Sequence, residues 1–435
     1  MKNRTVELEQ GSHDSEILLN RLQFRRFTEQ AIANAKQAAG LFAIVFLDVD
    51  GFFNINDTLG HASGDVLMLE AGLRMAESIG PGNRVTRFGG DEFLLFLQSV
   101  PGTGVVEGML DDLITTFQRP FMLAKQEVNI TFSAGVAFYP QDGDNFAALL
   151  KNADIAMHEA KHNGRNQFAI CSSNMKAKLC DRMALINGLF HVLARQELRL
   201  YFQPQVSVQS GKICSAEVLL RWVDPVRGFI PPAAFIPLAE QTGCIHVIGE
   251  WVLRQSCLQM KAWQDAGMPI ERVAVNLSGV QLRHPKFLER VQRALEETEL
   301  DPHMLELEVT ESALGNNYSY TIDLLNELKR FGISLSIDDY GKAYSSLSRL
   351  KELPVDRLKM DISFVRDIHR SKKGTIIARE IIRLAEQLEM SSVAEGVESK
   401  EQLLFLREAG CDLIQGYFFY QPMTAEALED VLKRE

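Results

Sequence analysis

Ile333-Ser334-Leu335-Ser336-Ile337-Asp338-Asp339-Tyr340-Gly341 decides how the second half of the chain reads. It opens as an apolar alternation, the pattern of a buried strand. It ends in two adjacent carboxylates and a glycine, as a strand does where it breaks into a loop. Two carboxylates at such a break suit a divalent cation, because hard cations take several oxygen ligands. An Asp-rich surface turn accounts for the same residues when they are read alone. The neighbouring segments weigh against that simpler reading.

Strand patterns recur around this stretch at Leu198–Val206, Ile213–Val223, Arg272–Ser278, Leu305–Glu311, Ile333–Asp339, Arg357–Phe364, Ser391–Glu398 and Leu413–Tyr420. Helical patterns separate most of them: Ile248–Ala266, Lys286–Thr298, Tyr320–Phe331, Thr375–Glu389 and Glu401–Ala409. About eight strands alternating with helices over about 250 residues predict an α/β fold of the (β/α)8 barrel type. Chemistry in such barrels sits at the C-terminal ends of the strands. The polar residues late in these strands are Glu217, Asn276, Glu308, Asp338 with Asp339, Lys359 with Asp361, Glu395 and Gln415. A single Glu in an apolar strand is usually a satisfied ion pair. So many carboxylates at one rim repel one another unless cations neutralise them. Their oxygens and one amide fit two Mg²⁺ or Mn²⁺ ions.

The 435 residues allow two or three domains, and 24% charged with 46% hydrophobic residues is ordinary for a globular protein. The formal net charge of -11 argues against broad binding of polymeric nucleic acid or an anionic membrane. The six cysteines form no CxxC pair and read as reduced thiols in a cytoplasmic protein. The polar start Met1–Gln10 predicts no signal peptide, and the apolar run Leu41–Leu47 is too short to cross a bilayer.

Ahead of the barrel pattern, a helical periodicity runs from about Asp14 to Ala39. An apolar strand follows and ends in Asp48-Val49-Asp50-Gly51. A second helix is expected from near Ser63-Gly64-Asp65 to before Pro81. Two β-like runs flank Gly89-Gly90, a hairpin signal that presents Asp91 and Glu92 beside its tip. A plain turn explains that motif when it is read alone. A strand is expected at Val128–Phe138 and a helix at Phe146–His162, with Lys161 and Arg165 bracketing the helix end.

Asp48-Val49-Asp50-Gly51-Phe52, Asn56-Asp57, Gly60-His61, Gly64-Asp65 and Gly89-Gly90-Asp91-Glu92-Phe93 resemble the GGDEF family of diguanylate cyclases and their inactive relatives. The resemblance implies a palm-like α/β sandwich over residues 1–170. It implies that Asp48 and Asp91 hold Mg²⁺ with Glu92 beside them, that Asn56 and Asp65 read guanine, and that Lys161 and Arg165 hold a triphosphate. Three features depart from the family. Phe53 stands where a phosphate-binding Lys is usual, and such a charged contact contributes roughly 1.5–3 kcal/mol. The family's N-terminal motif is reduced to Glu16-Ile17-Leu18-Leu19-Asn20-Arg21. Gly80 and Asn83 occupy the Arg-x-x-Asp inhibitory site.

A polar junction is read at 171–178, and a helix at about Leu179–Arg195 leads into the barrel domain, 179–435. Gln203-Pro204, Glu217-Val218-Leu219-Leu220-Arg221-Trp222, Asn276-Leu277-Ser278, Glu308-Val309-Thr310-Glu311, Asp338-Asp339, Lys359-Met360-Asp361, Ala394-Glu395-Gly396-Val397-Glu398 and Gln415-Gly416-Tyr417 resemble the EAL family. Its members include cyclic-di-GMP phosphodiesterases. The resemblance implies metal ligands at Glu217, Asn276, Glu308, Asp338, Asp339 and Glu395. It implies a water-orienting Lys359, with Glu395 as base or ligand. Substrate or supporting contacts fall on Gln203, Leu219, Arg221, Asp361, Glu398 and Gln415. Val218 replaces the Ala of the family's name motif. Tyr340-Gly341-Lys342-Ala343 replaces the commoner Phe-Gly-Thr-Gly, which predicts a loop that holds its aspartates or couples to a partner subunit differently.

The resemblances together imply hydrolysis of cyclic-di-GMP to linear pGpG with two divalent metals, in a protein that works as a homodimer. A bifunctional enzyme that also makes cyclic-di-GMP and a silent cyclic-di-GMP receptor are the alternatives. The front domain is expected to bind GTP as substrate or as an allosteric ligand, with the helical junction as the lever.

Overall fold

A computed structural model describes residues 19–38, 40–98, 100, 102–123, 125–314, 318–341 and 350–434. Lys342, Ala343 and the loop through Ser346 lie outside the described residues, as do Asp14 to Leu18 of the first expected helix. The chain forms two compact units, Met1–Met183 and Ala184–Glu435.

The first unit carries strands β1 (Phe42–Val49), β2 (Arg84–Gly89), β3 (Glu92–Leu97), β4 (Phe121–Leu123), β5 (Gln126–Val128), β6 (Phe132–Tyr139) and β7 (Phe168–Ile170). Its main sheet has the order β2-β3-β1-β6-β7. The central β1 is buried along its whole length because both faces are covered. Ala43, Val45 and Leu47 join one core with Leu67, Met75 and Leu110, while Ile44 and Phe46 join the opposite core with Phe24, Leu149 and Met157. Strand alternation thus turns one apolar run into two half-cores. The helix Phe146–His162 matches its expected limits and packs hard on β6. A Cβ at Gly135 would stand 2.0 Å from the Ala153 carbonyl oxygen, so the close approach requires glycine.

Some elements differ from the sequence reading. The second expected helix starts at His61, and a short helix, Phe52–Leu59, precedes it. A helix at Thr103–Phe117 adds to the elements expected from the sequence. The expected strand Val128–Phe138 is split, since β5 ends at Val128 in a hairpin with β4 and β6 starts at Phe132. A hydrophobic run does not mark where one partner strand is exchanged for another.

The second unit carries β8 (Leu198–Ser207), β9 (Ile213–Asp224), β10 (Gly228–Ile230), β11 (Arg272–Leu277), β12 (Leu305–Thr310), β13 (Ser334–Tyr340), β14 (Arg357–Met360), β15 (Ser391–Glu395) and β16 (Leu413–Gln415). The order β9-β11-β12-β13-β14-β15-β16-β8 closes through β8–β9 pairing into a barrel, and β10 is an added edge on β9. The closure departs from a regular (β/α)8 barrel, because β8 runs antiparallel to both neighbours. The link from Ser207 to Ile213 is too short for a parallel crossover.

The strand expected to run to Phe364 stops at Met360. Asp361 accepts a hydrogen bond from Ser363 N and starts the helix Ile362–Asp367. The helix at the junction runs Ser173–Leu189, starting ahead of the Leu179 read from sequence and ending ahead of Arg195. Among the described residues no helix is long and apolar enough to cross a membrane.

Candidate active site

Four carboxylates from four strands converge on one ammonium at the C-terminal end of the barrel. Lys359 Nζ on β14 lies 2.6 Å from Glu308 (β12), 2.7 Å from Glu395 (β15), 3.2 Å from Asp338 (β13) and 3.3 Å from Glu217 (β9). Period-2 alternation puts each of these residues on the inner face, where the parallel register aligns Asn276 with Glu308. Glu217 Oε1 accepts from Asn276 Nδ2 at 2.6 Å, and its Oε2 from Gln415 Nε2 at 2.7 Å. Gln415 also donates to Gln203 Oε1 at 3.0 Å.

Four acids against one base leave excess negative charge in a buried place. Burial, reinforced by the neighbouring carboxylates, raises Glu308 well above its ordinary range. Burial likewise pushes Glu395 up to about 8, against the opposing pull of Lys359. Burial pulls Lys359 down, but the surrounding carboxylates outweigh it and hold the ammonium firmly charged.

The donor set fits divalent cations. Hard carboxylate oxygens surround the site, and Glu308 Oε1 is buried with no hydrogen-bond partner. Among the described residues no three acidic or imidazole groups stand as a ready-made metal cage. The central position is held by the ammonium instead.

Asp338 and Asp339 sit in an irregularity of β13, whose register with β14 shifts between Ile337 and Tyr340. Asp339 has φ 56, a left-handed backbone rare outside glycine. The altered loop beyond Gly341 lies outside the described residues.

Beside the cluster is a cavity of about 500 Å³ lined by Leu219, Arg221, Pro232, Glu240, Asn276 and Ser278, among others. Arg221 stacks near Tyr201 and Phe229, and burial draws its pKa down. Glu240 accepts a short hydrogen bond from Ser278 Oγ. Two of the residues read as substrate contacts have other partners. Asp361 caps a helix, and Glu398 lies 3.7 Å from Arg366. Gln205 was missed. Its side chain accepts from Ser215 Oγ at 2.6 Å and donates to Gln415 at 3.1 Å, which extends the amide relay behind Glu217. Two glutamines at i and i+2 of an apolar strand were the available signal.

In the first unit, Asp48 lies 2.6 Å from Lys161 Nζ. Burial raises Asp48, with Lys161 opposing, and burial beside Asp48 and Asp91 raises Glu92. Asp91 stands in the hairpin turn and Glu92 begins β3. Asp50, to which no role was given, accepts from Thr131 and Ser133 at 2.8 Å each and lies 3.9 Å from Arg165. Asn56 Oδ1 is buried without a partner, facing Gly64. The exposed Asp65 is 3.4 Å from Arg87, and Phe53 is 72% exposed.

Comparisons with known proteins follow the same division. The diguanylate cyclase GGDEF domain family matches residues 17–167, and the EAL domain family matches residues 186–422. The bifunctional diguanylate cyclase/cyclic di-GMP phosphodiesterase MucR of Pseudomonas aeruginosa is 38% identical over 411 residues, covering 94% of this chain and 60% of that protein. The cyclic di-GMP phosphodiesterase NbdA of the same organism is 39% identical over 416 residues, covering 96% of this chain and 53% of that protein. The chain therefore spans only about half to three fifths of the length of these relatives. The solved structure of the PaMucR phosphodiesterase in complex with c-di-GMP is 41% identical, with TM-score 0.55, covering 56% of this chain and 99% of that one. Matched over more than half its length, the chain belongs to the EAL domain family and carries a GGDEF domain ahead of its barrel.

Proposed function

We propose that the barrel hydrolyses cyclic-di-GMP to linear pGpG with two divalent ions, Mg²⁺ or Mn²⁺, in the cytoplasm and as a homodimer. The observation that carries this reading is the cluster of four carboxylates around Lys359, linked through Asn276 to a cavity with Arg221 in its wall. The phosphodiesterase names of MucR and NbdA and the c-di-GMP complex of PaMucR support it.

Glu217, Asn276, Glu308, Asp338, Asp339 and Glu395 would hold the ions. Bound there, they supply Lewis acidity at the phosphate and lower the pKa of the attacking water. Lys359 stays protonated, so it donates hydrogen bonds and orients that water. Glu395, 2.7 Å from Lys359 Nζ on the same rim, is the group assigned to take the water's proton once bound cations have displaced its own. Gln415, backed by Gln203 and Gln205, fixes the carboxylate of Glu217. Arg221 presents a cation to a phosphate, and Leu219 an apolar surface to a base.

The test is incubation of the full chain with Mg²⁺ and cyclic-di-GMP and resolution of the products by chromatography. Release of pGpG by wild type and not by Glu217→Ala is expected. Full turnover by Glu217→Ala sinks the assignment. Tight binding without turnover by wild type identifies a silent receptor instead.

A second reading concerns the first unit. The unpartnered Asn56 Oδ1 and the Lys161–Asp48 pair suit a site that takes GTP, with Asp65, Asp91, Glu92 and Arg165 around it. Such a site acts as a slow cyclase, or biases hydrolysis in the barrel with a coupling of about 1–3 kcal/mol, about 5- to 150-fold in affinity. Incubation with GTP and Mg²⁺ alone reveals the first. A hydrolysis curve that is unchanged by millimolar GTP removes the second.

A further inference from the structure

Beneath the Lys359 cluster the barrel interior holds a second tier of charge. Arg357 Nη1 lies 2.7 Å from Glu306 Oε2, with Arg357 6% and Glu306 0% exposed, and Arg272 Nη1 stands 3.9 Å from the same oxygen. Each partner sits two residues before a member of the upper tier, Glu306 before Glu308 on β12 and Arg357 before Lys359 on β14. The two bridges are therefore stacked on one inner face. Both cross β13, which lies between β12 and β14. Ser336 of β13 is in register with Glu308 on one side and Arg357 on the other. The register of β13 breaks immediately after, between Ile337 and Tyr340, where Asp338 and Asp339 stand.

Stability alone does not account for the lower bridge. Barrel interiors at this level are normally filled by branched apolar side chains. A buried ion pair replaced by apolar groups of similar volume usually leaves a protein as stable or more so. The surroundings are also under-satisfied, since Glu306 Oε1, Ser336 Oγ and Arg272 Nε are buried with no hydrogen-bond partner. What the bridge does supply is geometry. It ties β12 to β14 across β13, one step below the place where β13 departs from regular pairing.

We propose that Arg357 and Glu306 are positioning residues. Their bridge sets the spacing of β12, β13 and β14, and with it the placement of Glu308 and Asp338 around Lys359. This rests on the reading of the upper carboxylates as metal holders. Groups behind metal ligands commonly matter to metal affinity almost as much as the ligands do.

The test uses the full chain and Mn²⁺ alone as the probe. The double variant Glu306→Leu with Arg357→Met replaces the bridge by apolar groups. It is expected to melt near the wild-type midpoint, since Arg272, which loses Glu306, keeps its hydrogen bond to Ser334 and stays part-exposed. Its Mn²⁺ affinity by calorimetry falls about 10- to 100-fold, and kcat falls similarly while KM stays within about twofold. Arg357→Lys, which keeps the cation, is expected to retain most of both. Wild-type Mn²⁺ affinity in a folded double variant overturns the proposal. If the double variant does not fold, Glu306→Gln keeps the shape and removes the charge, and unchanged Mn²⁺ affinity there overturns it equally. The phosphodiesterase reading fails separately, if wild type releases no pGpG. The Mn²⁺ affinities decide the role of the bridge in either event.

Discussion

Lys359 Nζ and Glu308 Oε2 lie 2.6 Å apart, on strands separated by β13 and both almost wholly shielded from solvent. Removing one partner of such a pair strands the other charge, at a cost of about 3–5 kcal/mol. Lys359→Met is expected to destabilise the metal-free barrel by that amount and to abolish hydrolysis. Mn²⁺ is expected to restore part of the lost stability, because it supplies the missing positive charge. Denaturant midpoints with EDTA and with Mn²⁺ check this, and an unchanged midpoint in EDTA contradicts it.

Metal affinity should rise with pH. Burial raises Glu395 from an ordinary 4.5 to about 8, and Glu308 is raised as well. The folded, metal-free site therefore holds protons that the unfolded chain has lost. Its stabilising effect is full below about 4.5, declines as pH rises, and is gone once pH passes about 8. Binding a cation expels those protons. Calorimetry at about pH 6 and about pH 8 should show tighter Mn²⁺ binding at the higher value, with proton release at the lower. Equal affinity and no proton release would refute the charge assignment.

Glu217→Ala removes the acceptor of Asn276, Gln415 and Lys359 together. Loss of hydrolysis with retained cyclic-di-GMP binding and an intact circular dichroism spectrum is expected.

Gly64→Ala should disable the GTP site proposed for the first unit without altering any of the carboxylates assigned to it. The added Cβ would stand 2.0 Å from Asn56 Oδ1, so Asn56 has to move. GTP affinity should fall about tenfold or more, the worth of one or two hydrogen bonds. Gly108→Ala, where nothing lies within 4 Å, is the control and should leave GTP affinity as it was.

Trp222→Phe tests the barrel's closing seam. Trp222 Nε1 donates to the buried Glu197 at 2.9 Å, and Leu198 is paired in register with Trp222. Leaving Glu197 Oε2 without that donor should cost about 1–3 kcal/mol, with Arg195 still 4.0 Å from Oε1. The urea midpoint of the barrel measures it.

Residues near one another in the chain carried much of the architecture. Period-2 alternation, helix spacing and turn glycines are local, and they were enough to show the β-α cadence, the Gly89-Gly90 hairpin and the carboxylates late in successive strands. The same periodicity says which face a residue takes, and so placed Glu217, Glu308, Glu395 and Lys359 on one rim. It does not say what reaches across. That Lys359 is the centre of the carboxylates, that Gln205 backs Gln415, and that Arg357 clasps Glu306 depend on partners on different strands, as far as 210 residues apart for Gln205 and Gln415. Their distances follow from barrel closure, strand register and the break in β13, and only the folded chain brings all three together.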